Sequence, residues 1–147
     1  MRSSRLAATF AAVSTFALLG LSGQAAAQAG DAKAGEDVFK KCRSCHMIGE
    51  GARTLIGPPQ NNLIGRKAGT VEGFAYSALN KAAGEAGLVW NEQTLFEYLP
   101  DPNGFLKKFL TEKGKPELAT GSTKMAFKLS DEEDRKNVIA YLKTFSK

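Results

Sequence analysis

Apolar residues recur at helical spacing in several segments of the chain, and no segment alternates apolar and polar positions as a strand does. Near the start, Gly35, Val38, Phe39 and Cys42 fall on one face of a helix. Asp31 directly precedes them and can accept hydrogen bonds from the free backbone N–H groups of a first turn. The pattern predicts a first helix from Asp31 to about Cys42 with a single buried stripe.

The last helix has the clearest start signal in the chain. Ser130-Asp131-Glu132-Glu133 has the S-x-x-E form of a capping box, and its acids suit the positive end of a helix dipole. The apolar stripe that follows consists of Val138, Tyr141, Leu142 and Phe145. Shorter helices are predicted over residues 78–83, 92–99 and 102–110, with start signals at Ser77, Asn91 and Pro102.

Residues 48–73 contain repeated glycines together with Pro58 and Pro59, and this composition predicts a loop. A loop of this length is unusual in a small domain, and the need to wrap a large flat cofactor would account for it. The whole pattern therefore indicates an all-α fold, with helices joined by long loops.

The first 27 residues differ in composition from the rest. Arg2 and Arg5 precede an apolar run from Leu6 to Leu21. Ala25-Ala26-Ala27 then provides an A-x-A cleavage site. We interpret residues 1–27 as a secretory signal peptide and residues 28–147 as one mature domain, with cleavage after Ala29 as an alternative. An uncleaved membrane anchor is the competing interpretation, although the run is short of the ~20 residues that a span needs.

Export would place the mature domain outside the cytoplasm, which in a bacterium is the periplasm. The chain has a net charge of +5, and removal of two arginines with the signal peptide leaves +3. This modest charge, without a basic stretch interleaved with aromatic residues, argues against a nucleic-acid binder. With 43% hydrophobic and 24% charged residues, the composition is that of a soluble globular protein.

Candidate chemistry is concentrated in Cys42-Arg43-Ser44-Cys45-His46, which holds both cysteines and the single histidine of the chain. C-x-x-C-H is the attachment pattern for c-type haem, in which each thiol adds to a vinyl group and the histidine can bind the iron. The alternatives are a structural disulfide, a thioredoxin-like redox pair, a zinc site and a chance match. The disulfide would close only a small loop, the redox pair lacks a βαβ setting, and structural zinc needs four ligands.

The residue at the sixth position on the iron can be approached by elimination. There is no second histidine, Met1 leaves with the signal peptide, and Met47 adjoins His46 on the same side of the ring. Met125, in a predicted loop before the last helix, is free to reach the opposite face, and His/Met ligation is found in electron-carrying cytochromes. A core-filling role for Met125, or an empty or lysine-occupied sixth position, stays open.

Taken together, these segments resemble class I cytochrome c, most closely the soluble bacterial cytochrome c2 type. The similarity spans residues 30–147, and its anchors are Gly35, Phe39, Cys42–His46, Gly57-Pro58, Ile64–Lys67, Gly73–Tyr76, Trp90, Glu97–Leu99, Thr123–Phe127 and Tyr141-Leu142. Two features depart from the family: Pro59 stands where asparagine is usual, and the segment between Leu110 and Met125 is longer than in mitochondrial forms.

The resemblance implies a small cytochrome c fold wrapped around one covalently attached haem c and its iron. Cys42 and Cys45 would attach the haem, His46 and Met125 would be the axial ligands, and the Pro58 carbonyl would accept a hydrogen bond from the histidine ring. The haem environment would further include Arg66, Tyr76 and Trp90 near the propionates, and Tyr98, Asn80 and Thr123 near the methionine sulfur. Without the resemblance, the aromatic members of this set are more simply read as core residues.

The resemblance also implies that a glycine in the first helix, Gly35, lets the first and last helices cross closely. A lysine-rich face is expected to recognise redox partners, and its docking residues would be Lys40, Lys41, Lys107, Lys108, Lys124 and Lys128. The acids at residues 131–134 are expected to lie elsewhere. Such a face would steer the protein toward acidic partners, whereas the alternative is an ordinary solvated surface.

We therefore expect a periplasmic one-electron carrier rather than an enzyme, because two filled axial positions leave no open iron site. By resemblance, the donor is a bc1-type complex and the acceptor is a photosynthetic reaction centre or a terminal oxidase. The expected state is a monomer without nucleic acid and without stable membrane insertion. A haem enzyme or gas sensor, and a membrane-anchored cytochrome with an uncleaved N-terminus, are the alternatives.

Overall fold

The computed structural model describes residues 30–147, which form five α-helices and one short 3₁₀ helix joined by long loops. The elements are α1 (Ala32–Phe39), α2 (Ala78–Glu85), α3 (Glu92–Tyr98), α4 (Pro102–Glu112), a 3₁₀ turn (Pro116–Leu118) and α5 (Glu132–Lys143). Extended pairing within this part of the chain is limited to an isolated bridge between Lys67 and Val89. The all-α prediction is confirmed. The predicted signal peptide, residues 1–27, lies outside the described residues.

Helix α1 begins at its predicted cap but ends earlier than predicted. Asp31 Oδ1 accepts hydrogen bonds from the backbone N–H groups of Lys33 and Ala34 at 2.7 and 3.1 Å. The helix ends at Phe39, and the N–H of Cys42 then bonds to the Phe39 carbonyl at 2.8 Å, three residues back. This tighter 3₁₀-type pattern replaces the last predicted turn. The first cysteine therefore follows α1 in a turn and does not belong to the helix.

The capping box predicted at Ser130 is wrong, because the N-cap of α5 is Asp131. Its backbone is extended (φ −65°, ψ 129°), and its carboxylate accepts a hydrogen bond from the N–H of Asp134 at 2.8 Å. A carboxylate at this position interacts with the positive end of the helix more favourably than a serine hydroxyl does. The predicted stripe is confirmed within the helix, where the buried residues include Val138, Tyr141 and Leu142.

The start signals of the middle helices are confirmed. The Ser77 hydroxyl accepts a hydrogen bond from the N–H of Asn80 at 3.2 Å and caps α2. Asn91 and Thr94 cap α3 reciprocally, each side chain accepting from the other residue's backbone N–H at 2.8 Å. Helix α4 starts at the predicted proline and ends slightly beyond the predicted boundary. No helix among the described elements combines the length and the apolar character needed to cross a membrane.

Helices α1 and α5 cross at very short distance and bring the two ends of the described chain together. A Cβ atom on Gly35 would lie 1.9 Å from the backbone oxygen of Asn137, so the crossing requires a residue without a side chain. Next to it, the rings of Phe39 and Tyr141 pack with centroids 5.6 Å apart. The Asn137 side chain accepts a hydrogen bond from the N–H of Asp31 at 2.7 Å. The close crossing expected at Gly35 is observed.

Candidate functional site

A cavity of about 300 Å³ lies against the segment that follows α1 and the loop that precedes α5. Its walls bring together Cys42, Cys45, His46 and Met125, although the methionine is far from the other three in sequence. The rest of the lining is largely apolar and includes Phe39, Leu63, Leu95, Leu99, Val138 and Leu142. The cavity is thus a hydrophobic enclosure with thiol, imidazole and thioether groups on its walls.

Cys42 and Cys45 are free thiols, each partly buried at the cavity wall. The backbone N–H groups of Cys45 and His46 both bond to the Cys42 carbonyl, at 3.1 and 2.9 Å, so the motif forms one compact turn. Burial raises the pKa of the Cys42 thiol to about 11. This thiol is therefore protonated at neutral pH, unlike the activated cysteine of a thioredoxin-like pair, whose pKa is lowered.

The imidazole of His46 is oriented by the loop at residues 57–60. Its Nδ1 lies 2.8 Å from the carbonyl oxygen of Pro58, which can only accept, so the ring donates from Nδ1 and leaves Nε2 unprotonated. Burial lowers the pKa of His46, which favours the neutral ring that a metal requires. A Cβ at Gly57 would come within 2.4 Å of the ring, so glycine is needed beside it.

Gln60, which was not predicted from the sequence, is buried at the same place. Its side-chain nitrogen lies 2.8 Å from His46 Nδ1 and 2.8 Å from the Pro58 oxygen. Its backbone N–H bonds to the carbonyl of Met47 at 2.9 Å. The available signal was an amide residue closely following Pro58, within a loop already expected to wrap a cofactor.

A polar network positions the loop before α5, which carries Met125. The hydroxyl of Tyr98 donates to the Met125 sulfur at 3.5 Å, and burial raises the pKa of Tyr98 to about 12, which keeps it a neutral donor. The Met125 N–H bonds to the Thr123 hydroxyl at 3.3 Å. That hydroxyl in turn donates to Asn80 Oδ1 at 2.9 Å, and the Ser77 hydroxyl donates to the same oxygen at 2.8 Å.

Arg66, Tyr76 and Trp90 also line the cavity. The Arg66 guanidinium donates to the carbonyls of Pro59 and Asn61 at 3.1 and 3.2 Å, and burial lowers its pKa. Among residues 30–147 it forms no ion pair, so its charge can meet an acidic group of a ligand. Burial raises the pKa of the Tyr76 hydroxyl, which stays a neutral donor.

Of the six lysines predicted to dock partners, Lys41 and Lys124 line the cavity. The expectation that the acids at residues 131–134 lie apart from these lysines is wrong. Asp134 Oδ2 is 2.7 Å from Lys41 Nζ, because the first turn of α5 lies beside the turn that follows α1. Lys124 instead donates to the carbonyl of Ala75 and lies 5.7 Å from the centre of the Phe74 ring.

The other predicted docking lysines are mostly engaged as well. Lys128 pairs with Asp101 at 2.9 Å, Lys40 with Asp37 at 2.5 Å, and Lys108 with Glu112 at 3.7 Å, all at exposed positions. Lys107 forms no ion pair within the described part of the chain. The positive face is therefore partly neutralised by neighbouring carboxylates.

The residues on the cavity walls fit a covalently attached haem. Two free thiols in a compact turn, a neutral imidazole with Nε2 available, and a thioether sulfur are the donor set that such a group needs. The apolar lining suits a flat hydrophobic ring, and the partly buried cation of Arg66 suits its acidic edge.

Comparisons with known proteins point to one group. Cytochrome c2 iso-1 of Rhodospirillum centenum is 60% identical over 119 residues, which cover 81% of this chain and 99% of that protein. A cytochrome c2 of Rhodopseudomonas palustris is 57% identical over 114 residues, 78% of this chain and 97% of that protein. The solved structure of cytochrome c2 from Rhodospirillum centenum matches with a TM-score of 0.79 at 58% identity, covering 80% of this chain and 100% of that chain. No protein-family model matches.

Proposed function

The chain belongs to the cytochrome c2 family, and from this premise we propose that it is a periplasmic one-electron carrier. The family consists of electron-transport proteins of the class I cytochrome c type, with one covalently attached haem c and its iron. The observation that carries the proposal is the single cavity whose walls include both His46 and Met125. Ligands from two distant segments would fill both axial positions. With both positions filled, no iron position would be open to oxygen or peroxide, which favours a carrier over an enzyme or a gas sensor.

The proposed roles follow from what each side chain can do at its place. Cys42 and Cys45 would hold the haem through two thioether bonds, and His46 would bind the iron through Nε2, because Nδ1 is directed to the Pro58 carbonyl. Met125 would bind through its sulfur. When bound, the haem supplies a one-electron couple between Fe(II) and Fe(III), and a thioether ligand raises its potential.

The remaining cavity residues would adjust and shield the haem. Arg66, with its charge unpaired by any described acid, would bind a propionate, assisted by the Tyr76 hydroxyl and covered by Trp90. Asn80 and Thr123 would hold the methionine loop in place through the hydrogen bond between their side chains. Tyr98, which donates to the sulfur, would favour the reduced iron by drawing electron density from that ligand.

We further propose that the partners are redox proteins with acidic surfaces, a bc1-type complex as donor and a reaction centre or terminal oxidase as acceptor. The lysines would provide the docking face, and support for it comes from Lys41 and Lys124 on the cavity walls. The periplasmic location depends on cleavage of residues 1–27. A mass of the native protein that corresponds to a chain starting at Gln28 or Gly30 would support this location. A mass that includes Met1 would favour a membrane anchor instead.

The test of the carrier proposal is Met125→Ala in the holoprotein, with Met47→Ala as the matched control. Met47 is the other methionine of the mature chain and does not line the cavity. Met125→Ala should abolish the weak red absorbance of Met-ligated Fe(III), lower the potential and allow the reduced protein to bind carbon monoxide, while the control keeps all three properties. An unchanged spectrum in Met125→Ala would exclude Met125 as a ligand, and carbon monoxide binding by the unaltered protein would favour the enzyme or sensor alternative.

A further inference from the structure

Gln60 is a buried amide in direct contact with the candidate histidine ligand. Only 8% of its surface is exposed, and it belongs to the cavity wall. The other buried polar residues of the described chain have different partners: Asn137 accepts from the N–H of Asp31, and Asn80 accepts from the Thr123 hydroxyl in the network beside Met125. Gln60 instead directs its side chain to His46 and to the carbonyl that orients it.

Three polar atoms form a triangle at this point. His46 Nδ1, the Pro58 oxygen and Gln60 Nε2 lie 2.8 Å from one another. The carbonyl has two lone pairs and can accept from both the imidazole and the amide. The amide nitrogen of Gln60 donates to the Pro58 oxygen, and the imidazole N–H donates to the same oxygen. The contact between the two nitrogens is therefore one between neighbouring donors and not a hydrogen bond.

We propose that Gln60 is a positioning residue that weakens the hydrogen bond from His46 to Pro58 and thereby raises the reduction potential of the haem. This inference rests on the proposed ligation by His46. A carbonyl that already accepts from an amide has less negative charge to offer the imidazole N–H. The positive end of the amide also lies beside the ring. Both effects make the imidazole a poorer electron donor, which favours Fe(II) over Fe(III).

The experiment replaces the amide with an apolar side chain in the holoprotein, as Gln60→Leu. Pro58 would then accept from His46 alone, and the equilibrium with a mediator of fixed potential should shift about fivefold toward the oxidised protein. Asn61→Leu is the matched control, because this neighbouring amide pairs with Gly49 at 2.7 and 2.8 Å and has no contact with the histidine. It should leave the equilibrium unchanged.

A second readout follows from the single histidine of the chain. In reduced protein labelled with ¹⁵N-histidine, all labelled ring signals belong to His46, and the Nδ1 proton should move downfield in Gln60→Leu as its hydrogen bond strengthens. Gln60→Met, unbranched and of similar length, repeats the measurement if the leucine variant does not fold. A potential that rises or stays constant, or an unmoved Nδ1 proton, would overturn the role of Gln60. Ring nitrogens that titrate as a free imidazole in the unaltered holoprotein would instead overturn ligation by His46.

Discussion

Burial shifts the pKa of three groups on the cavity walls, Cys42, Tyr98 and His46, toward the neutral form. Removal from water raises the pKa of Cys42 and of Tyr98, to about 11 and about 12, and lowers the pKa of His46. At neutral pH the cavity therefore presents a thiol, a phenol and a free-base imidazole. These are the forms suited to thioether attachment, to donation toward sulfur and to metal binding.

At this scale we predict that Tyr98→Phe lowers the reduction potential. The variant removes the hydrogen bond to the Met125 sulfur, so the thioether donates more strongly and stabilises Fe(III). A neutral hydrogen bond contributes about 1 kcal/mol, which for a one-electron couple is roughly 40 mV. Redox titration of the holoprotein measures the change. Thr94→Val, which removes a hydroxyl outside the cavity, should not alter the potential, and a raised potential in Tyr98→Phe would contradict the assigned direction.

The sequence was sufficient to identify some of these residues but not others. The cysteine motif and Met125 could be singled out from residue type and spacing alone, since the chain has few alternatives. Gln60 could not, because the burial of one amide depends on the path of the loop around it. The pairing of Asp134 with Lys41 escaped prediction for a similar reason, since it depends on the crossing of two helices that are remote in sequence.

At the scale of elements, the fold depends on the crossing of α1 and α5. The apolar stripes predicted these faces correctly, since Gly35, Val38 and Phe39 are buried in α1 and Val138, Tyr141 and Leu142 are buried in α5. The helix ends were less predictable: α1 ends early in a 3₁₀-type turn, and the cap of α5 moves from Ser130 to Asp131. Several residues near a helix start can serve as caps, and the local hydrogen bonds select among them.

We predict that Gly35→Ala destabilises the holoprotein by about 3 kcal/mol, the upper end of the range for overpacking. The added Cβ would meet the Asn137 backbone oxygen at 1.9 Å, and backbone cannot move aside as a flexible side chain can. Guanidinium unfolding measures the loss. Lys33→Ala, an exposed substitution on the same helix, is the control and should change the stability little. Equal stabilities of the two variants would show that the crossing adjusts freely.

The ion pair between Lys128 and Asp101 joins the segment after Met125 to the start of α4. The Lys128 ammonium, followed by the Gly104 N–H, lowers the pKa of Asp101 from its usual 3.8. A carboxyl whose pKa is lower in the folded state stabilises that state above its unfolded pKa, and this stability is lost as pH falls through the lowered value.

We therefore predict that Lys128→Gln is less resistant to urea, which does not screen charges as guanidinium does, than the unaltered protein at pH 7, and that the difference disappears at about pH 2. The loss of the weak red absorbance of Met-ligated Fe(III) shows directly when the loop that carries Met125 leaves the iron. Lys108→Gln removes another exposed pair, with Glu112, and should not affect that absorbance. A difference that persists undiminished at low pH would show that Asp101 is not the group responsible.

At the scale of the whole molecule, we expect the approach of a redox partner to depend more on where the charges lie than on the net charge. The net charge is small, and several lysines of the proposed docking face are paired with acids. Lys124 lies at the cavity wall and is unpaired with any described acid, so we expect its charge to act on an approaching partner. The sequence predicted six docking lysines, of which Lys41 and Lys124 line the cavity, but it could not show which of the six are paired with acids.

We predict that electron transfer with an isolated bc1 complex slows by about tenfold when ionic strength rises from about 0.01 to about 0.15 M, since the Debye length falls from roughly 30 to roughly 8 Å. Stopped-flow kinetics measures the rate. Lys124→Gln should slow the reaction at low salt and reduce its salt dependence, whereas Lys33→Gln, outside the cavity, should do neither. Rates independent of salt would contradict electrostatic steering and leave the haem site unaffected.

The crossing of the first and last helices also has a consequence for how the protein is made. A nascent chain emerges from its amino end, so the two thiols appear early, whereas the helix that covers α1 is the last to be completed. Until α5 is complete, the face of α1 that it covers has no helix packed against it. We therefore expect a bulky planar group to enter more easily before α5 packs against α1 than afterwards, when the residues of that face are buried.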